Sequence, residues 1–497
     1  MDILTIIVAL AAGVLVFCVR PTRALVVYLA ALTWYPSYLS IRLGTIDFTV
    51  SRIVIILLFV SVLVQTDLAR RYRMIWLDKL VIIYFVCQVL AGAMTTELGN
   101  LLENRAGAFF DMALPYFAVR LILVRRENYL SFLKGVLVVA APIAILGVFQ
   151  SITGRDPVYF LQAEYHVPDI RHGFYRAKVT FSHSIMLGLL FAIFGSMAAG
   201  LLHRKLPYKR LGPVGLVLMA AGVGSSMSSG PILAALVATI AIATYHYRRY
   251  TRELVVIGVL MCGVVEIVSN RHFYDVLGDF TFNPATAWYR SKLIDAALFK
   301  GGMSGHWLTG FGFVDPGWSA LIDKRDHTDI VNHYLLVLSQ YGLVGLVPFL
   351  VVLVLAIKRL LRGYHLSMTN SDRWLVWCVG SSLLGLLLAF QTVSLFGPPK
   401  NMFFMLLAVC GSLPVIMAAG RRVVGGVSVG VGAKVGFGNV SKRSSGRVSR
   451  TPGRLFVRRR VRGSAGDGVI INMGQGPANS PATRKSNKDN NGTGPAV

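Results

Sequence analysis

Residues 326–349 read DHTDIVNHYLLVLSQYGLVGLVPF, and the apolar run that they open continues to Ile357. A helix rises 1.5 Å per residue and bilayer hydrocarbon is about 30 Å thick, so about 20 apolar residues in a row make a membrane span. Asp326, His327, Asp329 and His333 therefore stand at the mouth of a membrane helix. If that helix begins near Asp329, Asp329 and His333 lie four residues apart on one face. The carboxylate then accepts the imidazole Nδ1–H, which fixes the tautomer and leaves Nε2 to take a proton. The plainer reading makes Asp329 a helix cap at the water–lipid boundary.

The rest of the chain has the same character. Of 497 residues 55% are apolar and 15% charged, with a mean hydropathy of +0.61, which excludes an ordinary soluble globule. Spans read at 3–19, 24–39, 53–66, 80–95, 109–124, 132–151, 184–202, 212–228, 231–246, 254–269, 330–357, 374–396 and 402–420. An amide left unpaired in lipid is costly, so these runs must be helices. The expected fold is all-α, a polytopic integral membrane protein of about 12–13 transmembrane helices.

Cations fix the expected orientation. Arg20 and Arg23, Arg70 to Lys79, Arg125 and Arg126, His203 to Arg210, Arg248 to Arg252, Lys358 to Arg373, and the segment after Arg421 occupy every second connection. The positive-inside rule makes those connections cytoplasmic and puts the N-terminus outside. The first span lacks a basic leader and an A-x-A-like site, so it does not read as a cleavable signal. Long connections collect on the other face, at 152–183 and 270–329, with moderate ones at 40–52 and 96–108, and point to an outer site. Cys18, Cys87, Cys262, Cys378 and Cys410 all fall inside spans and suggest neither a disulfide framework nor a zinc site. Residues 421–497 hold 15 Lys/Arg against Asp467 and Asp489, a surplus of 13 in the chain's formal +27. This reads as a disordered basic tail following a transmembrane domain at 1–420. Its expected partner is anionic lipid, and no nucleic acid is expected because no aromatic interleaving or folded module accompanies the charge.

The first long outer loop carries Arg155, Arg171, Arg176 and Lys178, against the positive-inside tendency. Such a set asks for an anion, and diphosphate suits forked guanidinium groups. Ion pairs with Asp156, Glu164 or Asp169 are the alternative. His183 follows in FSHSIMLG. In the second loop, Asn283-Pro284 reads as a helix start, and Trp288, Leu293, Ala297 and Leu298 recur near helical spacing. An amphipathic helix on the outer membrane surface is expected, with Arg290 beside Trp288 and Tyr289 at headgroup depth. The small-residue run GSSMSSGP, 224–231, reads as close helix packing or a contact for a sugar hydroxyl. Arg120 lies inside a span near its cytoplasmic end, where snorkelling is expected.

Three of these stretches, in order, resemble signatures of the O-antigen ligase/polymerase superfamily: Arg176 with FSHSIMLG, WYRSKLIDAALF leading to TGFGF at 309–313, and VNHYLLVLSQYGLVG at 331–345. The likeness spans about residues 24–420 in topology and order. It implies a metal-independent, cofactor-free glycosyltransferase of the bacterial inner membrane, working on undecaprenyl-diphosphate-linked glycan at the outer face. Carried over residue by residue, Arg176 and Arg290 hold the diphosphate and His333 is the base. Arg171, Lys178, His183, Asp329, Asn332 and Tyr334 complete the expected site. The implied partners are the lipid-linked donor, a glycan or lipid acceptor, membrane lipids, and a chain-length regulator or flippase. The sequence departs from the pattern where Val331 stands in the usual histidine's place, which leaves His327, Asp329 and His183 open as bases, and Ser229 stands where many relatives carry arginine. A polysaccharide or lipid transporter without chemistry is the competing class. A scaffold acting through the tail is a third.

Overall fold

Apolar runs that must satisfy their own amides form helix after helix in the computed structural model, which describes residues 2–44, 46–65, 70, 72–161, 169–268, 284–322 and 327–424. The first three helices are α1 (Asp2–Cys18), α2 (Pro21–Trp34) and α3 (Val50–Val64), with an antiparallel hairpin of β1 (Ser40–Leu43) and β2 (Ile46–Thr49) between the last two. Next come α4 (Trp76–Thr95), α5 (Leu98–Ala108), a π-helical turn at Phe109–Ala113, α6 (Leu114–Ile122) and α7 (Arg126–Thr153). A small hairpin, β3 (Ile170–Arg171) with β4 (Phe174–Tyr175), leads to α8 (Ser184–Ala198), α9 (Leu211–Ser226), α10 (Ser229–Ala243) and α11 (Thr251–Val268). The chain continues through α12 (Pro284–Ile294), a π-helical turn at Asp295–Phe299, the short α13 (Ser319–Ile322), α14 (His333–Leu366), α15 (Asn370–Ala389) and α16 (Pro398–Val424).

Each of the thirteen spans read from sequence falls on a helix. Among the described residues, seven helices are long and apolar enough to cross a membrane, and four shorter apolar ones accompany them. The chain is thus a mostly helical membrane protein. Two spans end early: α2 stops at Trp34 and α15 at Ala389, not at 39 and 396. The bundle has a centre, because 89% of the apolar window at Ser184–Leu202 and 83% of that in Pro398–Ala419 is buried, against 33% in α14. These two helices pack inside a ring of the others. All described residues lie in one compact unit, Met1–Val429. The proposed tail at 425–497, the Asn283 cap and loop residues 162–168, 270–283 and 323–326 lie outside the described residues. Residues 421–424, read as tail, instead continue α16.

Two expectations are corrected here. The helix at the opening motif does not begin near Asp329. It begins at His333, because the Asn332 side chain accepts the amides of Tyr334 and Leu335 at 3.0 and 3.2 Å. Asp329 precedes the helix and shares no helical face with His333. Arg120 does not snorkel. It is buried with Asp78, donating from Nε at 2.9 Å and from Nη2 at 3.2 Å, while Tyr116 and Tyr72 hydroxyls and the Ile75 amide fill the carboxylate's other positions. Removing one partner of such a pair strands a buried charge. Asp78→Ala is expected to cost about 3–5 kcal/mol, read as lost yield and a lower Tm in detergent, with much of the loss recovered in the Asp78→Ala/Arg120→Leu double variant.

The amphipathic surface helix is corrected in part. Leu293 and Ala297 of its expected apolar face are buried, packed with Ala296 against Met303, Trp318, Leu335 and Leu338, whereas Trp288 and Leu298 are exposed. The apolar side of α12 therefore seats on the start of α14. The π-helical turn at Asp295–Phe299 shifts the helical register and turns Leu298 away.

α14 is broken within its span. Gly342 has φ 57° and ψ −157°, which interrupts the helical hydrogen bonds. The loop 307–311 replaces them: Phe311 N–H donates to Ser339 O at 2.7 Å, Leu343 N–H to Trp307 O at 2.8 Å, and Val344 N–H to Leu308 O at 3.1 Å. A non-helical stretch at membrane depth is tolerated where protein satisfies its backbone. Loop 307–311, which overlaps the TGFGF segment, does that work, and so the segment after α12 is anchored to α14.

Candidate functional site

The turn between α9 and α10 gathers arginines from the β3–β4 hairpin and from α12. Met227 takes the left-handed conformation, φ 44°, and Ser228 leads into α10. Small residues let this turn sit deep: a Cβ at Gly222 would collide with Phe191, and one at Gly230 with Val393. Gly230 of the 224–231 run thus allows close packing, and Ser228 and Ser229 face the arginines, whereas the Ser225 and Ser226 hydroxyls donate back to Gly222 O and Val223 O.

Three guanidinium groups meet there. Arg171 Nη1 donates to Met227 O at 3.4 Å, Arg176 Nη2 to Ser228 Oγ at 3.1 Å, and Arg290 Nη2 to Ser229 Oγ at 3.4 Å. The β3–β4 hairpin turns at His172 and Gly173, both at positive φ, and thereby carries Arg171 and Arg176 to the same place. The Ala177 amide donates to Ser225 O at 3.0 Å and pins the hairpin to α9. Arg290 arrives from α12. Its neighbour Tyr289 fastens that helix to the Asp329 backbone, donating to the carbonyl at 3.0 Å and accepting from the amide at 3.1 Å.

The charge is incompletely balanced. Arg176 Nη1 pairs with Asp169 at 2.9 Å, yet that carboxylate is 74% exposed. Arg176 Nε, Arg290 Nε and Arg290 Nη1 are buried with no hydrogen-bond partner among the described residues. Burial, helped by the nearby Arg171, pushes the Arg290 guanidinium down to about 10, so it is still a cation at neutral pH. Burial and Arg171 lower Arg176 as well, with Asp169 opposing them. Desolvated cations held side by side destabilise the empty site and favour an anion that restores their solvation.

His183 caps α8 at the edge of the cluster, its Nδ1 accepting the Ile185 amide at 3.1 Å. That bond leaves the proton of the neutral ring on Nε2, which can only donate. Burial, then Arg176 and Arg171, lower its pKa below the usual 6.5, opposed by Asp169 and Asp329. The unfolded chain therefore takes up this proton first, so the contribution to stability is full above about 6.5 and falls as pH drops below it. His183→Asn keeps a capping oxygen. Its Tm, followed from pH 7.5 to 5, is expected to fall less steeply than that of the wild type.

The other expected residues are distributed differently. Asp329 is exposed and acts electrostatically on His183. Lys178 enters through its backbone: its amide and that of Val179 donate to Gln150 Oε1 at 3.0 and 2.8 Å, holding β-branched Val179 at φ 52°. Arg155 is exposed. Asn332 donates from Nδ2 to Gln391 at 3.1 Å, and the Tyr334 hydroxyl donates to Leu387 O at 2.9 Å. His333 is 7% exposed, its ring between Phe349 and Phe390 and its Nδ1 accepting the Leu395 amide at 3.2 Å. The nitrogen assigned to Asp329 is thus taken by a backbone amide, and Nε2 again carries the proton. These three residues tie α14 to α15 and the segment after it.

The chain matches no protein-family model and no curated protein sequence.

Sequence reasoning offered Asp169 as an ion-pair partner, which Arg176 takes, and the 224–231 run as a contact, but it did not place Met227 or Ser228 at the arginines, or Tyr289 at the Asp329 backbone. The small-residue run signalled the turn, but nothing local showed that three arginines would reach it.

Proposed function

We propose that this chain is a membrane glycosyltransferase, a polymerase or ligase that moves glycan from a polyprenyl diphosphate to a sugar or lipid hydroxyl. The observation that carries the reading is the meeting of Arg171, Arg176 and Arg290, from two separate segments, with buried N–H groups that have no partner among the described residues. The chemistry follows from it. As the acceptor oxygen attacks C1, the C1–O bond to phosphate breaks and its electron pair leaves with the diphosphate. Guanidinium groups fixed beforehand stabilise that growing charge without reorganising. The His183 Nε2–H adds a neutral donor. Asp329, exposed beside His183 and free of a helical role, takes the acceptor proton in preference to enclosed His333. Attack opposite the leaving group inverts C1.

An outer-face site in a bacterial inner membrane, an undecaprenyl carrier, and a chain-length regulator or flippase as partner belong to the same proposal, on the superfamily resemblance. The test is transfer by the full-length protein in nanodiscs from a polyprenyl-diphosphate glycan, with a chelator present. Elongated product is expected, with Asp329→Asn slowing it more than His333→Gln. Absence of product with every acceptor offered would return the transporter to first place.

A further inference from the structure

A second cationic site lies far from the first. α14 places Arg359 26 residues beyond His333, roughly 35–40 Å along its axis at 1.5 Å per residue. There, the ends of α6, α14 and α16 and the segment before α4 line a half-open cavity of about 700 Å³. Arg73, Arg120, Arg359 and Arg362 line it together with apolar residues including Leu366 and Val415. A cavity of this size lies in the range of about 300–1,000 Å³ typical of small-ligand sites.

The charge here is also unbalanced. Asp78 is fully engaged by Arg120, Tyr72, Tyr116 and the Ile75 amide. Among the described residues, Arg73, Arg359 and Arg362 form no ion pair with a carboxylate. Arg359 spends Nη2 on Gly411 O at 3.0 Å, and its Nε is buried without a partner. Arg73 and Arg362 are exposed at the rim, and Val415 of α16 is 43% exposed on the apolar side. Forked cations beside an outward apolar wall match a phosphodiester attached to acyl chains. A soluble phosphate would meet the same arginines and gain nothing from the wall.

We propose that this cavity holds the phosphate of an anionic phospholipid, with acyl chains running past Leu366 and Val415. The lipid joins α14 to α16 next to the Asp78–Arg120 pair. It neutralises Arg359 and Arg362, which repel each other and Arg120. The proposal does not depend on the transferase reading.

The experiment uses delipidated full-length protein in detergent, titrated with phosphatidylglycerol, phosphatidylcholine or inorganic phosphate, and read by native mass spectrometry and Tm. Phosphatidylglycerol is expected to be retained and to raise Tm, phosphatidylcholine much less, and phosphate not at all. Arg359→Gln/Arg362→Gln should weaken phosphatidylglycerol binding about tenfold or more, as two lost surface-lipid contacts imply. Arg73→Gln/Arg362→Gln, altering rim residues alone, should weaken it as well, and Arg155→Gln, at an exposed position, should not. The idea is overturned if both double variants bind phosphatidylglycerol as the wild type does, or if the two lipids bind equally. Inorganic phosphate that raises Tm as much as phosphatidylglycerol, and competes with it, overturns the lipid assignment.

Discussion

Arg290→Ala is expected to lower glycan transfer by about 10²–10³-fold, the loss found when a single donor to a developing negative charge is removed. Stability should not fall with activity. Among the described residues, two buried N–H-bearing nitrogens of Arg290 have no partner, and its one bond, to Ser229, is long at 3.4 Å. Truncation therefore removes a desolvated charge that its neighbour Arg171 already disfavours, and Tm should hold or rise. Arg290→Lys should recover little transfer, because an ammonium is a compact point charge that cannot fork onto two phosphate oxygens. Arg176→Ala should cost less, since Asp169 already offsets part of that charge. Transfer rate and Tm measured on the same preparations check the pattern. A proportional fall of both would mean that Arg290 is structural.

Gly342→Ala is expected to cost about 4 kcal/mol or more, enough to abolish recovery of folded protein. At φ 57° and ψ −157° the backbone occupies a region that is nearly restricted to glycine. The added methyl would run into the backbone carbonyl of Leu308, which cannot move aside as a flexible side chain could. Relief would separate loop 307–311 from α14 and break the bonds from Phe311, Leu343 and Val344 away from water, where each unmade bond is costly. Because this loop continues the segment that carries Arg290, the arginine site would be lost too. Gly224→Ala is the control: nothing lies within 4 Å of its Cβ position on α9, so yield and Tm should be unchanged or slightly improved. Yields compared after identical extraction decide the matter.

The helices were legible because hydropathy over about 20 residues reports a requirement that each segment meets alone. Features that depend on a distant partner were not. Arg120 reads as a snorkelling cation because Asp78, 42 residues away, looks like one more charge in a basic connection. The start of α14 was misplaced because Ile330 and Val331 extend the apolar run past the real cap, Asn332, whose side chain must meet two amides to be recognised. Arg171, Arg176 and Arg290 were identifiable as cations on the face where cations are unusual, and the family resemblance singled out the last two. Their meeting at Met227–Ser229 was not legible, since it needs the β3–β4 hairpin, α12 and the α9–α10 turn to pack together across separations of 52 to 61 residues. His333 shows the converse. An imidazole at a membrane mouth suggests proton transfer, but whether its lone pair is free depends on Leu395, 62 residues further on.

The account rests on a grip by guanidinium groups of two outer segments on one diphosphate. The most direct measurement is binding of a polyprenyl diphosphate and of its monophosphate to the full-length protein and to Arg176→Ala/Arg290→Ala. The wild type should bind the diphosphate about tenfold or more tightly than the monophosphate, and the double variant should lose that preference while keeping its Tm. Equal affinity of the wild type for both lipids, or an unchanged preference in the double variant, would contradict it.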